Sequence, residues 1–318
     1  MWRNIVVDAL VTGATGFVGS RVLLRLAEEG MGLRVLVRPS SNRQNLDGIR
    51  ADIVVGDLND RASLDRAMAG CTNLFHIAAD YRLWAPDGDN LIKTNVEGTR
   101  SVMEAALNAG VERVVYTSSV AALGRNPDGS PADENAPVNE SDMIGSYKRS
   151  KYLAEQVVLK MTTENDLPAV IVNPSAPLGP GDIKPTPTGD IIVRAAKGKI
   201  PAFVDTGLNL VHVDDVAKGH WLAHQKGKIG ERYILGGKNL SLQEMLNEIA
   251  RQVSRPAPKY KIPHNLILPI AYAAEFCSKM TTGFEPFATV DGIKMSMKKM
   301  YYSSDKAVSE LGYASRSV

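Results

Sequence analysis

The chain has 318 residues, 44% hydrophobic and 23% charged, with a formal net charge of +2. That length holds one large α/β domain, or a nucleotide-binding domain with a smaller one appended, and the composition excludes a disordered chain. So small a charge without a basic run argues against nucleic acid as a partner, and no apolar stretch reaches the roughly eighteen residues needed to span a membrane.

Short β-branched runs alternate with helical stretches through the first half, the pattern of a parallel sheet with crossover helices. The opening segment reads as a strand rather than a secretion signal, since Asp8 interrupts its apolar run. Strands are predicted at Asp8–Thr12, Arg34–Val37, Ile53–Val55, Leu74–Ile77, Arg113–Thr117 and Ala169–Val172. Their apolar character fits a sheet covered on both faces. Helices are predicted at Val18–Glu29, Ser63–Ala69, Val96–Ala109 and Ser146–Glu164.

After Pro174 the texture changes, with Pro177, Pro180, Pro185 and Pro187 among several glycines. An irregular segment of that length usually serves a ligand. Asn209–Val213 and Arg232–Leu235 read as further strands, Gly219–His224 as part of a helix, and Ser241 with Glu244 as a capping box. The apolar run Ile262–Phe276 reads as a buried helix of a second subdomain. A greasy substrate pocket or a membrane-facing lip stays open as the alternative.

Val11-Thr12-Gly13-Ala14-Thr15-Gly16-Phe17-Val18-Gly19 joins the first strand to the first helix. In that setting Gly13 permits the tight turn, Gly16 the approach of a pyrophosphate, and Gly19 close packing of helix on strand. The helix N-terminus adds amide donors and a favourable dipole. The next strand ends at Arg38, with Arg43 soon after, where an NAD site usually places a carboxylate for the ribose 2′-hydroxyl. NADP(H) is therefore favoured, with NAD(H) left open.

Tyr147 and Lys151 stand four apart in Ser146-Tyr147-Lys148-Arg149-Ser150-Lys151, so a helix presents both on one face. Such pairs occur on many solvated helices; beside a nucleotide-binding loop this one reads as chemistry. A lysine ammonium beside a phenol stabilises the phenolate and lowers the tyrosine pKa, giving an acid/base for a substrate hydroxyl or carbonyl.

Other residues are discounted. Cys71 and Cys277 lack metal-ligand spacing and read as core thiols in a reducing cytoplasm. His212, His220 and His224 lack neighbouring ligands, so no metal site is assigned. His212 is expected to bond locally beside Asp214 and Asp215, and His76 to be a satisfied core histidine.

In order along the chain, the Gly13–Gly19 turn is followed by Gly56-Asp57-Leu58, Phe75-His76-Ile77-Ala78-Ala79 and Asn95-Val96-Glu97-Gly98-Thr99. Tyr116-Thr117-Ser118-Ser119, the Tyr147/Lys151 pair and His212-Val213-Asp214-Asp215-Val216 complete the set. Together they resemble the extended short-chain dehydrogenase/reductase family over essentially the whole chain. The resemblance implies a Rossmann doubly wound parallel sheet with a smaller, interleaved C-terminal substrate subdomain. Residues 1–175 and 208–238 would bind the cofactor, and residues 176–207 and 239–318 the substrate.

The resemblance further implies that Asp57 and Leu58 border the adenine and that Ala78 and Ala79 line the cofactor groove. Asn95 would support the active-site helix and a relay water, and Pro174 and Ser175 would lie near the nicotinamide. Lys151 would also bind the nicotinamide ribose. A serine after the Arg113–Thr117 strand would polarise the carbonyl, Ser119 by motif register with Ser118 left open. Many relatives dimerise through the helices corresponding to Val96–Ala109 and Ser146–Glu164, so a homodimer is implied.

Within the family the chain looks like the dihydroflavonol-4-reductase-like branch. In Ala79-Asp80-Tyr81-Arg82-Leu83-Trp84-Ala85-Pro86 and Asp205-Thr206-Gly207-Leu208-Asn209-Leu210 it also resembles the bacterial proteins called hopanoid-associated sugar epimerases. Two enzymatic readings stay open: an NADP(H)-dependent reductase of an aldehyde or ketone, and an NAD-dependent (nucleotide-)sugar epimerase/dehydratase. Relatives acting on nucleotide-diphosphate sugars usually carry diphosphate-binding arginines, whereas Gly207-Leu208-Asn209-Leu210-Val211 has none. Arg82, Arg194 and Lys184 would have to compensate. Asp80, Tyr81, Arg82 and Trp84, with the Ile262–Phe276 run, would line a pocket for a bulky apolar body such as a hopanoid side chain, with peripheral membrane contact allowed. A sensor that keeps the fold without turnover is disfavoured, because such relatives typically lose the tyrosine or lysine.

Overall fold

The computed structural model describes residues 7–82, 87–280 and 289–317. The first half runs β1 (Ala9–Thr12), α1 (Phe17–Glu28), β2 (Leu33–Val37), β3 (Asp52–Val55), α2 (Arg61–Met68), β4 (Asn73–His76), α3 (Gly88–Asn108), β5 (Arg113–Thr117), α4 (Gly145–Glu164) and β6 (Ala169–Pro174). The second adds β7 (Ala176–Leu178), α5 (Pro187–Ala196), β8 (Ala202–Phe203), β9 (Gly207–His212), α6 (Val213–Lys226), β10 (Arg232–Leu235), β11 (Lys238–Ser241), α7 (Leu242–Gln252), β12 (Tyr260–Lys261), α8 (His264–Met280) and α9 (Val290–Ser296).

Seven strands pair in parallel in the order β3-β2-β1-β4-β5-β6-β10. Strand alternation feeds two cores. Val11, Val35, Phe75 and Val172 pack with Leu23 and Leu26 of α1 and Val216 of α6, while Leu10, Leu74, Tyr116 and Ile171 pack with Val102 of α3 and Val158 of α4. This is the doubly wound sheet expected from the sequence. The strand order reverses between β1 and β4, so the loops leaving them diverge and open a crevice at their carboxyl ends. A three-stranded sheet β11-β9-β7 and a two-stranded pair β12-β8 lie outside the large sheet.

Several boundaries differ from expectation. α3 begins well before Val96, because the Asp87 carboxylate accepts from the Asn90 amide at 3.0 Å and caps the helix there. The segment after Pro174 is less irregular than its composition suggests, since Pro187 occupies the first turn of α5. The Ser241–Glu244 capping box forms as expected. The Ile262–Phe276 run is not a buried helix: α8 turns Leu266 and Phe276 to solvent at 61% and 64% exposure. Cys71 is buried, but Cys277 lies exposed on the same helix instead of in a core. Trp84 falls outside the described residues. No helix among the described residues is long and apolar enough to cross a membrane.

Candidate active site

The crevice is floored by the turn between β1 and α1. Gly13 has a φ of +74°, and a Cβ there would lie 2.6 Å from the Ala78 amide nitrogen, so only glycine lets this turn pass beneath the chain leaving β4. A Cβ on Gly19 would collide with the Gly13 carbonyl oxygen, which packs the first turn of α1 directly on the turn. Gly16 caps α1, is exposed, and places no side chain over the helix end. Thr15, Phe17 and Val18 flank it half-buried, and Asn45 Nδ2 donates to the Thr15 carbonyl at 3.3 Å. The open amides of α1 suit a pyrophosphate.

Towards the outer strands, Arg38 and Arg43 stand exposed after β2. Asp57 follows β3; its Oδ1 accepts from the Asn59 amide at 2.9 Å and from Asn59 Nδ2 at 3.0 Å. Leu58 sits beside Gly98 of α3. Ala78, Ala79 and Asp80 leave β4 along the crevice, half-buried. Asn95 clasps this stretch: its Oδ1 accepts from the Asp80 amide at 2.8 Å, and its Nδ2 donates to the Asp80 carbonyl and to Ser150 Oγ, both at 2.9 Å. Ser150 Oγ donates in turn to the Tyr147 carbonyl at 2.8 Å, so Asn95 ties the crevice wall to the first turn of α4.

Tyr147 and Lys151 come off successive turns of α4. Burial pushes the Tyr147 phenol above its ordinary range, and a hydrogen bond from Ser119 works against that rise. Ser119 follows β5, where its Oγ also accepts from the Ala121 amide at 3.1 Å. The lowering of Tyr147 by Lys151 expected from the sequence is not what the structure displays. The Lys151 Nζ donates to the Thr117 carbonyl at 3.0 Å and lies 5.7 Å from the Tyr116 ring centre. Burial brings the Lys151 pKa down to about 8. Ser118 points elsewhere: its buried Oγ, like that of Ser175 beyond Pro174, has no hydrogen-bond partner among the described residues. Two unsatisfied hydroxyls at the carboxyl ends of β5 and β6 fit a polar ligand in the crevice.

A polar network behind Lys151 was not anticipated from the sequence. Glu155, fully buried one turn further along α4, accepts from Asn173 Nδ2 at 2.7 Å and from Arg232 Nη1 at 3.3 Å. Asn173 Nδ2 also donates to the Ser119 carbonyl at 3.1 Å. The signal was present as a continuation of the Tyr147/Lys151 spacing by another four residues. Thr117 Oγ1 lies 2.8 Å from His220 Nε2, and His220 Nδ1 lies 2.8 Å from the Val216 carbonyl. The carbonyl requires a proton on Nδ1, so the threonine hydroxyl donates to Nε2. Burial holds His220 at about 4 and His76, 2.7 Å from Thr12 Oγ1, at about 3. His212 accepts from the Asp214 amide at 3.1 Å, the local bond expected of it.

On the outer wall, Tyr81 is 43% exposed and Arg82 is exposed. Burial works to raise the Asp80 carboxyl, but hydrogen bonds from Arg82 and the charges of Arg82 and Arg38 hold it below the ordinary range. Arg194 pairs with Asp190 on α5 at 3.6 Å.

Known proteins share this fold. The profile of the NAD dependent epimerase/dehydratase family matches residues 9–236. The chain is 49% identical over 313 residues to a putative dihydroflavonol 4-reductase from Synechocystis sp., spanning 97% of this chain and 90% of that protein. It is 36% identical over 262 residues to sterol demethylase protein B from Methylococcus capsulatus, spanning 82% of this chain and 79% of that protein. The crystal structure of gox2253 superposes with a TM-score of 0.88 at 54% identity, covering 97% of this chain and 93% of that one.

Proposed function

The chain belongs to the NAD-dependent epimerase/dehydratase family, and we propose that it is a cytoplasmic, NADP(H)-dependent reductase of an aldehyde or ketone borne on a bulky apolar body. The convergence of the end of β5 with α4 carries the reading: Lys151 Nζ donates to the Thr117 carbonyl at 3.0 Å, and Ser119, two residues on, lies near enough to the Tyr147 phenol to work against its rise. It brings a hydroxyl from the end of β5 and a phenol from α4 to one point, the two donors that a carbonyl oxygen needs as it gains negative charge.

A nicotinamide dinucleotide bound along the crevice supplies the hydride. Gly13, Gly16 and Gly19 would leave room for its pyrophosphate, Asp57, Leu58, Ala78 and Ala79 would border its adenine half, and Pro174, Ser175 and Ser118 would meet its nicotinamide half. Tyr147 gives its proton to the carbonyl oxygen while Ser119 holds that oxygen. Lys151, fixed on Thr117, offers its ammonium to the ribose and to the phenolate left behind. Arg38 supports NADP(H), because a guanidinium at the end of β2 suits a 2′-phosphate.

Two further observations favour a reductase over a sugar-nucleotide epimerase. Arg82 pairs with Asp80 and Arg194 with Asp190, so a diphosphate would have to compete with a carboxylate for each guanidinium. The sterol in one relative's name supports a polycyclic apolar substrate, a chemistry that a hopanoid-type body shares. A homodimer through α3 and α4 belongs to the same reading.

The test is to denature the purified protein, identify any released dinucleotide, titrate NADPH and NADH against the apoprotein, and follow NADPH consumption over a panel of apolar aldehydes and ketones. Empty protein that prefers NADPH and consumes it is expected. Tightly held NAD⁺ with no net consumption would overturn the reading in favour of a redox-neutral epimerase or dehydratase.

A further inference from the structure

A helix on the surface of a water-soluble domain ordinarily turns its apolar stripe inward. α8 does the reverse. Among its described residues Ala271 and Ser278 are the buried ones, at 0% and 1% exposure, and Glu275 turns its Oε1 to the Val290 amide at 2.7 Å. Leu266, Ile270, Phe276 and Met280 face solvent at 61%, 50%, 64% and 72% exposure. With exposed Pro269 and Ala273 they follow the spacing of one helix face, a continuous stripe without a charge. Tyr272 on the same helix and Tyr260 on β12 are also exposed, at 53% and 76%.

Charge selects the occupant. Residues 255–300 carry seven Lys and Arg against three Asp and Glu, a local net charge of +4 in a chain whose total is +2. Lys259 ahead of α8, and Lys294 and Lys298 on and after α9, are exposed. An apolar helix face in a segment of net positive charge, with Tyr272 on the same helix, matches an anionic lipid surface. A second copy of this chain would instead bring the same positive charge against itself. The face also lies close to the chemistry: α8 packs on α9, and Asp291 of α9 lies against Gly145, two residues ahead of Tyr147.

We propose that the solvent-facing stripe of α8 docks this enzyme on an anionic bilayer, from which its apolar carbonyl substrate is drawn. The substrate half of that statement rests on the function proposed above; the docking half does not.

The full chain is sedimented with vesicles of phosphatidylcholine alone and of phosphatidylcholine with phosphatidylglycerol, beside an Ile270→Glu/Phe276→Glu variant whose fold is checked by circular dichroism and NADPH affinity. Wild type binds the mixed vesicles more strongly than the neutral ones, and the variant binds them at least about tenfold more weakly. Absence of binding to the mixed vesicles, or equal binding by wild type and variant, overturns the proposal. So does a wild-type dimer that the variant dissociates, which makes the face an interface between copies. Sedimentation reads no turnover, so a protein that proved to be an epimerase would leave the docking result standing.

Discussion

Lys151 Nζ donates to the Thr117 carbonyl at 3.0 Å, which fixes the ammonium on the last residue of β5. Two residues on, Ser119 lies near enough to the Tyr147 phenol to work against the rise that burial imposes on it. The end of one strand therefore positions both the lysine and the serine, and the roles of neighbouring side chains separate cleanly.

Tyr147→Phe is expected to lower kcat/KM by about a thousandfold, because it removes the proton donor while leaving the crevice intact. Ser119→Ala should cost about a hundredfold, the loss of one donor to the developing oxyanion. Ser118→Ala should leave kcat within a few-fold and act on NADPH affinity instead. Steady-state kinetics beside fluorescence titration of NADPH separates these outcomes; equal effects at both serines would undo the assignment of Ser119.

Arg38→Asp should exchange cofactor preference. The guanidinium that suits a 2′-phosphate becomes a carboxylate that suits a 2′-hydroxyl, so NADPH should bind about tenfold to a hundredfold more weakly and NADH more tightly. The dissociation constants of the two dinucleotides check this directly. An unchanged ratio would mean that Arg38 merely finishes the strand.

Much of this was legible in the sequence because it is local. A glycine turn between a strand and a helix, and a tyrosine and lysine four apart, state their geometry within a few residues. The start of α3 is not legible in this way, because a single cap at Asp87 outweighs weak helix formers such as Gly88 and Asn90. The Glu155–Asn173–Arg232 cluster was invisible for a different reason. Its members come from α4, β6 and β10, and only the sheet order brings them together. The outward turn of α8 likewise depends on which face meets α9, which hydrophobicity alone does not tell.

Stability should fall with acid through two buried histidines. His76 and His220 have folded pKa values of about 3 and about 4, lowered by burial. Their unfolded values lie near 6.5, so below that pH the unfolded chain takes up protons first. The stabilisation is complete above about 6.5 and is lost as pH falls towards the folded values. Between pH 7 and pH 5 each histidine should remove about 2 kcal/mol. Urea unfolding at the two pH values tests this, and His220→Gln should lose its share of the dependence.

Glu155 offers the sharpest test of the network, because its two possible contributions, charge and packing, differ in their dependence on pH. Burial drives Lys151 down to about 8, and the carboxylate of Glu155 opposes that fall. The other groups facing the ammonium are the Tyr116 ring and His76, which is held neutral. Glu155→Gln retains an acceptor for Asn173 Nδ2, so the Ser119 carbonyl keeps its partner, while the opposing charge is gone. Breaking the buried pair with Arg232 should cost on the order of 3 kcal/mol of stability. Without Glu155 the Lys151 pKa drops further, and the alkaline limb of kcat/KM, where Lys151 loses its proton, moves to lower pH. A purely structural Glu155 would lower kcat/KM by the same factor at every pH. A limb that stays in place in the variant therefore removes Glu155 from the control of Lys151.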